Sequence, residues 1–146
     1  MSKARSRARR LAMQGLYEWQ MSDNAPQEIL ISYHKEHDLT KVDRDYFQTL
    51  LIGIPNHLQE LDQTLAPYVS RPIKEVDPVE LAILRLATYE LLYCLDVPYR
   101  VVINEAVELA KTFGGEAGHK FVNGIIDKVA ANTRAAEVKS RSKPKG

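Results

Sequence analysis

Residues 77–95, "DPVELAILRLATYELLYCL", constrain the fold more than any other stretch of the chain. Asp77 is placed to accept hydrogen bonds from first-turn amides. Pro78 falls at the first helical position, where its missing N–H costs nothing, and Glu80 stands three residues after the cap. The body that follows is apolar on nearly all sides. Such a helix has no face to give to water, so the sequence predicts a buried, central helix that other elements must surround. "DVP" ends it.

The surrounding elements also read as helices. Ala8, Ala12, Leu16 and Trp19 recur at three-to-four spacing and form one core-facing stripe of a first helix. "DNAP" breaks that helix, with Asp23 or Asn24 as the next cap and Pro26 in the first turn of a second helix through Ile29, Leu30 and Tyr33. From Asp43, a third segment carries Phe47, Leu50, Leu51, Ile54, Leu58, Leu61 and Leu65 in phase. Pro55 interrupts it, which predicts a kinked helix or two abutting ones. After the central helix, Ile103, Ala106, Val107, Ala110 and Phe113 mark a helix stopped by Gly114-Gly115. Phe121, Ile125 and Val129 mark a last one. No period-2 strand pattern is present. The expected fold is therefore all-α, six to seven helices over residues 1–133, followed by a basic tail, 134–146, whose "VKSRSKPKG" composition predicts disorder.

At 146 residues the chain has the size of one domain. No apolar run approaches the roughly 20 residues that span a bilayer, and no secretory leader pattern follows the charged start. Cys94 has no second cysteine to pair with, which fits a reduced, cytoplasmic setting. The net charge of +1 hides a strong asymmetry. Residues 1–10 carry five bases (Lys3, Arg5, Arg7, Arg9, Arg10), and residues 134–146 carry five more against Glu137 alone. The body, 11–133, holds ten bases and eighteen acids, a net of −8. Ends of this sign suit an anion, and the body suits a basic partner.

On a first helix, Arg7, Arg10, Gln14 and Tyr17 are spaced 3, 4 and 3 and share one face, separate from the Ala8/Ala12/Leu16/Trp19 stripe. Cations for phosphate, an amide for base edges and a ring for stacking are what single-stranded nucleic acid recognition needs. Arginines in a first turn also oppose the helix dipole by about 0.3–1 kcal/mol each, a cost that bound phosphate would offset. A solvated basic arm explains the charges alone equally well. "FGGEAGHKFVNG" matches neither the P-loop nor the dinucleotide fingerprint and follows no strand, so it reads as a glycine helix stop and a new start. Its backbone N–H groups beside Lys120 suit an RNA backbone, and Phe121 fits either the core or a stacking platform. His34, Glu36 and His37 lack further ligands for a metal, and Cys94 reads as a core residue. No paired carboxylates or Ser/His/Asp order argue for catalysis. The expectation is a non-enzyme without cofactor or metal.

Taken together, "RARRLAMQGLYEWQ", "ILRLATYEL", "DVPYRVVINEAVELAKTFGGE" and "HKFVNGIIDKVA" resemble the NusB family of bacterial transcription antitermination factors, from about residue 5 to residue 131. The resemblance implies two packed helical bundles. It also implies binding of boxA RNA, chiefly of ribosomal RNA operons, together with NusE, a ribosomal small-subunit protein, within the RNA polymerase antitermination complex. Carried over by position, RNA contacts fall on Arg5, Arg7, Arg9, Arg10, Gln14, Tyr17, Lys120, Phe121 and Asn123. The NusE-facing surface falls on Glu75, Glu80 and Arg85. Two departures stand out: Ala117, where a relative carries an acid, and Pro55, inside a helix that relatives tend to keep continuous. The resemblance leaves a homodimer open. Two rival readings remain: a protein–protein adaptor whose arginines only solubilise it, and an RNA-binding appendage of a ribosomal RNA methyltransferase, which the expectation that 146 residues leave no room for a cofactor-binding domain argues against.

Overall fold

The computed structural model describes residues 2–142, with side chains as far as residue 140. Among the described residues there are eight α-helices and no strand: α1 (Lys3–Met21), α2 (Pro26–Glu36), α3 (Arg44–Asn56), α4 (Leu58–Leu65), α5 (Pro78–Tyr93), α6 (Tyr99–Phe113), α7 (Gly118–Thr133) and α8 (Ala135–Ser142). Short 3-10 turns at Ala66–Tyr68 and Ile73–Glu75 join α4 to α5. The sequence predicts six or seven helices. The structure has more because Pro55 ends α3 at His57, giving two abutting helices, and because the tail starts with a helix of its own.

The central helix is α5, capped by the Asp77 carboxylate, which accepts from the amides of Val79 and Glu80 at 3.1 Å. Every residue from Leu81 to Leu91 is buried. It packs against α1, α3, α4, α6 and α7, so it is shared by one bundle of α1–α3 and a second of α4–α7. Close approach in the first bundle depends on Gly15, where a Cβ would press on Leu51 of α3 at 2.9 Å. Between bundles, Gly53 of α3 leaves room for the Tyr89 ring of α5, with which a Cβ would collide. Neither Asp23 nor Asn24 caps α2. Ala25 occupies that position, and Pro26 alone sets the start.

Charged residues inside this core are matched, while the buried Thr88 hydroxyl has no hydrogen-bond partner among the described residues. Glu90 of α5 and Glu105 of α6 enclose Arg9 of α1, a guanidinium only 1% exposed. Arg9 donates to both Glu90 oxygens at 2.9–3.0 Å and to Glu105 at 3.1 Å. Ser6 adds a donor to Glu105 at 2.5 Å, and the Tyr46 hydroxyl adds one to Glu90. Burial alone would lower the Arg9 pKa, but the hydrogen bond and charge of Glu90 outweigh it and raise it. Burial, then Glu90, pushes the Tyr46 phenol up as well. Both groups therefore keep their protons, and every member of the network has a partner.

The predicted basic tail begins differently from expectation. Arg134 is buried and spends its guanidinium on four backbone carbonyls, those of Leu91 (2.7 Å), Val97 (3.0 Å), Glu90 and Cys94 (3.2 Å each). Three of them stand at the negative end of the α5 dipole, where Glu90 and Cys94 also accept from the amides of Cys94 and Val97, and the fourth, Val97, lies in the turn to α6. Arg134 also pairs with Glu137 at 3.1 Å, and the Glu137 carboxylate accepts from the amide of Tyr99, where α6 starts at Pro98 without a side-chain cap. One ion pair thus closes the end of α5 and the start of α6. A residue with such partners cannot be tail, so α8 is held helical and Val138 packs on the core. The side chain of Arg141, and Lys143 and Lys145, lie outside the described residues.

Candidate nucleic-acid interface

The arginine-rich start of α1 divides by helical angle. Steps of 100° per residue place Arg5 and Arg9 on the side of Ala8, Ala12 and Leu16, and Arg7, Arg10, Gln14 and Tyr17 on the opposite side. Arg9 is consumed in the buried network just described and has no access to RNA. Arg5 pairs with Asp96 at 3.0 Å and Asp43 at 3.6 Å, and its guanidinium lies 4.2 Å from the centroid of the Tyr46 ring. Arg9 is therefore a correction to the sequence-derived set, whereas Arg5, ion-paired at the surface and one-third exposed, is only partly engaged in docking α1.

The remaining four form an outward stripe. Arg10 is exposed, Tyr17 is 38% exposed, and Arg7 and Gln14 are half-buried at their bases. Gln14 donates back to the Arg10 carbonyl at 3.2 Å, which orients its amide along the helix face that Tyr17 shares one turn on. Below Gln14 and Tyr17 lies a largely apolar cleft of about 490 Å³, lined also by Met13, Met21, Tyr33, Val79 and Phe113. The stripe therefore borders a slot with aromatic surface from Tyr17, Tyr33 and Phe113, whose one charged lining residue is Glu18.

The second predicted segment occupies the start of α7. Lys120 and Asn123 are exposed. Phe121 is half-buried: it packs on the core, and the Arg71 guanidinium lies 5.7 Å from its ring centroid. The ring is thus part of the core edge, with one face covered by a cation. The two segments meet around the first turn of α5. Val79 and Phe113 share the cleft with Tyr17, and the next residue, Glu80, lies against Gly118, where a Cβ would sit 3.5 Å from its carboxylate.

The predicted partner surface is only partly assembled. Glu75 is exposed and Glu80 half-buried on the same approach to α5. Burial first, then the neighbouring Asp77 charge, raises the Glu80 pKa, and Arg71 only partly offsets them. Arg85, by contrast, is 8% exposed and is corrected to a core role. It holds Asp62 of α4 in a bidentate pair at 2.9 Å and the Gln20 side chain of α1 at 2.9 Å. Sequence reasoning missed Arg71 and Phe113. Phe113 was legible as the last apolar position before a double glycine, whereas nothing in sequence ties Arg71 to Phe121. Among the described residues no group of three His, Cys, Asp or Glu side chains is placed to hold a metal, and no helix is long and apolar enough to cross a membrane.

Comparison with known proteins bears on the family and the fold. The sequence pattern of the NusB family matches residues 6–131. The chain is 53% identical over 142 residues to the transcription antitermination protein NusB of Nitrosococcus oceani, covering 97% of this chain and 95% of that one. It is 52% identical over 131 residues to that of Idiomarina loihiensis, covering 90% and 94%. The solved structure of T. maritima NusB superposes with a TM-score of 0.79 at 30% identity, covering 95% of this chain and 99% of that one.

Proposed function

The chain belongs to the NusB family, and on that premise we propose that it is a transcription antitermination factor, a non-enzymatic adaptor that binds boxA RNA together with NusE in the RNA polymerase antitermination complex. One observation carries the RNA part. Within a single run of arginines, Arg5 and Arg9 pair with carboxylates while Arg7 and Arg10 stay outward and have no acidic partner among the described residues, in line with Gln14 and Tyr17. Unpaired cations gathered at the positive end of a helix destabilise the free protein, and RNA phosphates relieve this. Gln14, Tyr17, Phe121 and Asn123 then supply base preference, and Lys120 a further phosphate contact.

Glu75 and Glu80 support a basic partner in the same way. Glu80 is held half-buried beside Asp77, which raises its pKa, and a cation from NusE would favour its charged form. The test is a titration against boxA and scrambled RNA at two salt concentrations, with and without NusE. Tighter binding to boxA, weakened by Arg10→Ala together with a shallower salt dependence, is the expected result. Equal binding to both RNAs that is indifferent to Arg10→Ala would overturn the reading.

A further inference from the structure

The described cations can be sorted by what holds them. Arg5, Arg9, Arg85, Lys111 and Arg134 pair with carboxylates. Lys3, Arg7 and Arg10 do not; spaced 4 and 3 apart, they fall on the outward face of α1. A fourth cation reaches the same edge from a distant part of the chain. The guanidinium of Arg7 donates to the backbone carbonyl of Lys41 at 3.4 Å, which brings the loop between α2 and α3 alongside the first turns of α1. That loop is pinned there by a second bond, from the Asp43 amide to the Ala4 carbonyl at 3.1 Å. Of its own acids, Asp43 caps α3 and faces Arg5, and Asp38 accepts from the Thr40 amide at 3.0 Å, within electrostatic reach of Lys41 and Arg44 but without an ion pair to either. Lys41 itself is exposed and forms no ion pair among the described residues.

We propose that Lys41 is a phosphate contact of the RNA site, extending the track of Lys3, Arg7 and Arg10 off α1 and onto the α2–α3 loop. The inference rests on the RNA-binding reading above. Its chemistry is that of a point-charge contact: an ammonium on a flexible stem, positioned by its own backbone, neutralises a phosphate without reading the base. A strand running along α1 from Tyr17 towards the helix start would therefore continue across the loop rather than leave the protein at Arg7.

The position permits a clean test, because Arg7 holds the carbonyl of residue 41 and not its side chain. Lys41→Ala keeps that bond, and an unchanged melting temperature verifies it. Anisotropy titrations against the boxA oligonucleotide at several salt concentrations should then show weaker binding at low salt and a slope of log affinity against log salt shallower by about 0.7, the value for one phosphate of a single strand. Lys41→Glu should lose more, and Lys35→Ala, an exposed lysine on α2, should match the wild type. A Lys41→Ala slope equal to wild type, while Arg10→Ala is shallower, overturns this inference and leaves the RNA reading intact. If Arg10→Ala is also unchanged and boxA is not preferred over a scrambled strand, the RNA reading falls and this inference with it.

Discussion

At Arg9 the guanidinium stands between two carboxylates and a phenol, all shielded from water. Removing it leaves Glu90 and Glu105 as buried charges without a counter-ion, so Arg9→Ala should cost about 3–5 kcal/mol, read as a lowered urea midpoint. Arg10→Ala, one residue on, should stay within about 0.5 kcal/mol of wild type while weakening RNA binding. Glu80 carries the pH dependence of this region. Its folded pKa lies above the unfolded value of about 4.5, so the folded state prefers the protonated acid. That preference adds stability below the unfolded pKa and is lost as pH rises through the raised folded value. Glu80→Gln should therefore be more stable than wild type near neutrality and equal to it in acid, with the crossover visible in melting temperatures recorded across pH. An unchanged difference at every pH would remove the assignment. The sequence already contained the angular signal that separates Arg9 from Arg10, because Arg9 lies three residues before Ala12 and seven before Leu16. It did not contain the carboxylates waiting 81 and 96 residues away.

At the scale of elements, α8 acts on the ends of two other helices. Arg134 satisfies carbonyls at the close of α5, and Glu137 satisfies the first amide of α6. A lysine cannot reproduce this, since one ammonium cannot reach four carbonyls spread around a helix end as a planar fork does. Arg134→Lys should thus destabilise nearly as much as Arg134→Met, by about 2–4 kcal/mol for the stranded carbonyls of Leu91 and Val97. Hydrogen exchange should rise first in the turn between α5 and α6, and α1 should keep its protection. The family pattern ends at residue 131, before either group, which is why composition alone made this stretch look like tail: three charged residues in a polar run carry no mark of which one is buried. Asp77-Pro78 and the in-phase leucines on both sides of Pro55 were legible for the opposite reason. Caps and periodicity act within a few residues of one another, and both appear as expected.

Across the whole molecule, the charge asymmetry resolves into a basic edge on α1 and an acidic approach to α5, with the α7 start beside the latter. The outward stripe of the RNA site was legible because four residues share one helix face. Its relation to Lys120 and Phe121 was not, because it depends on α5 standing between them, a packing choice that no local pattern encodes. The arrangement makes a geometric demand on the ligand. Arg10 and Phe121 belong to separate segments that meet only through Val79, Phe113 and Glu80, so a single strand engages both only if it is long enough to pass the first turn of α5. With a full boxA oligonucleotide, Arg10→Ala and Phe121→Ala should each weaken binding, the latter by about 1–3 kcal/mol for a lost stacking partner. As the oligonucleotide is shortened from one end, the Phe121→Ala effect should vanish at a defined length while the Arg10→Ala effect persists; shortening from the other end should reverse that order. If both effects fade together from either end, the strand does not run from one segment to the other, and Phe121 acts on RNA binding only through the packing of α7.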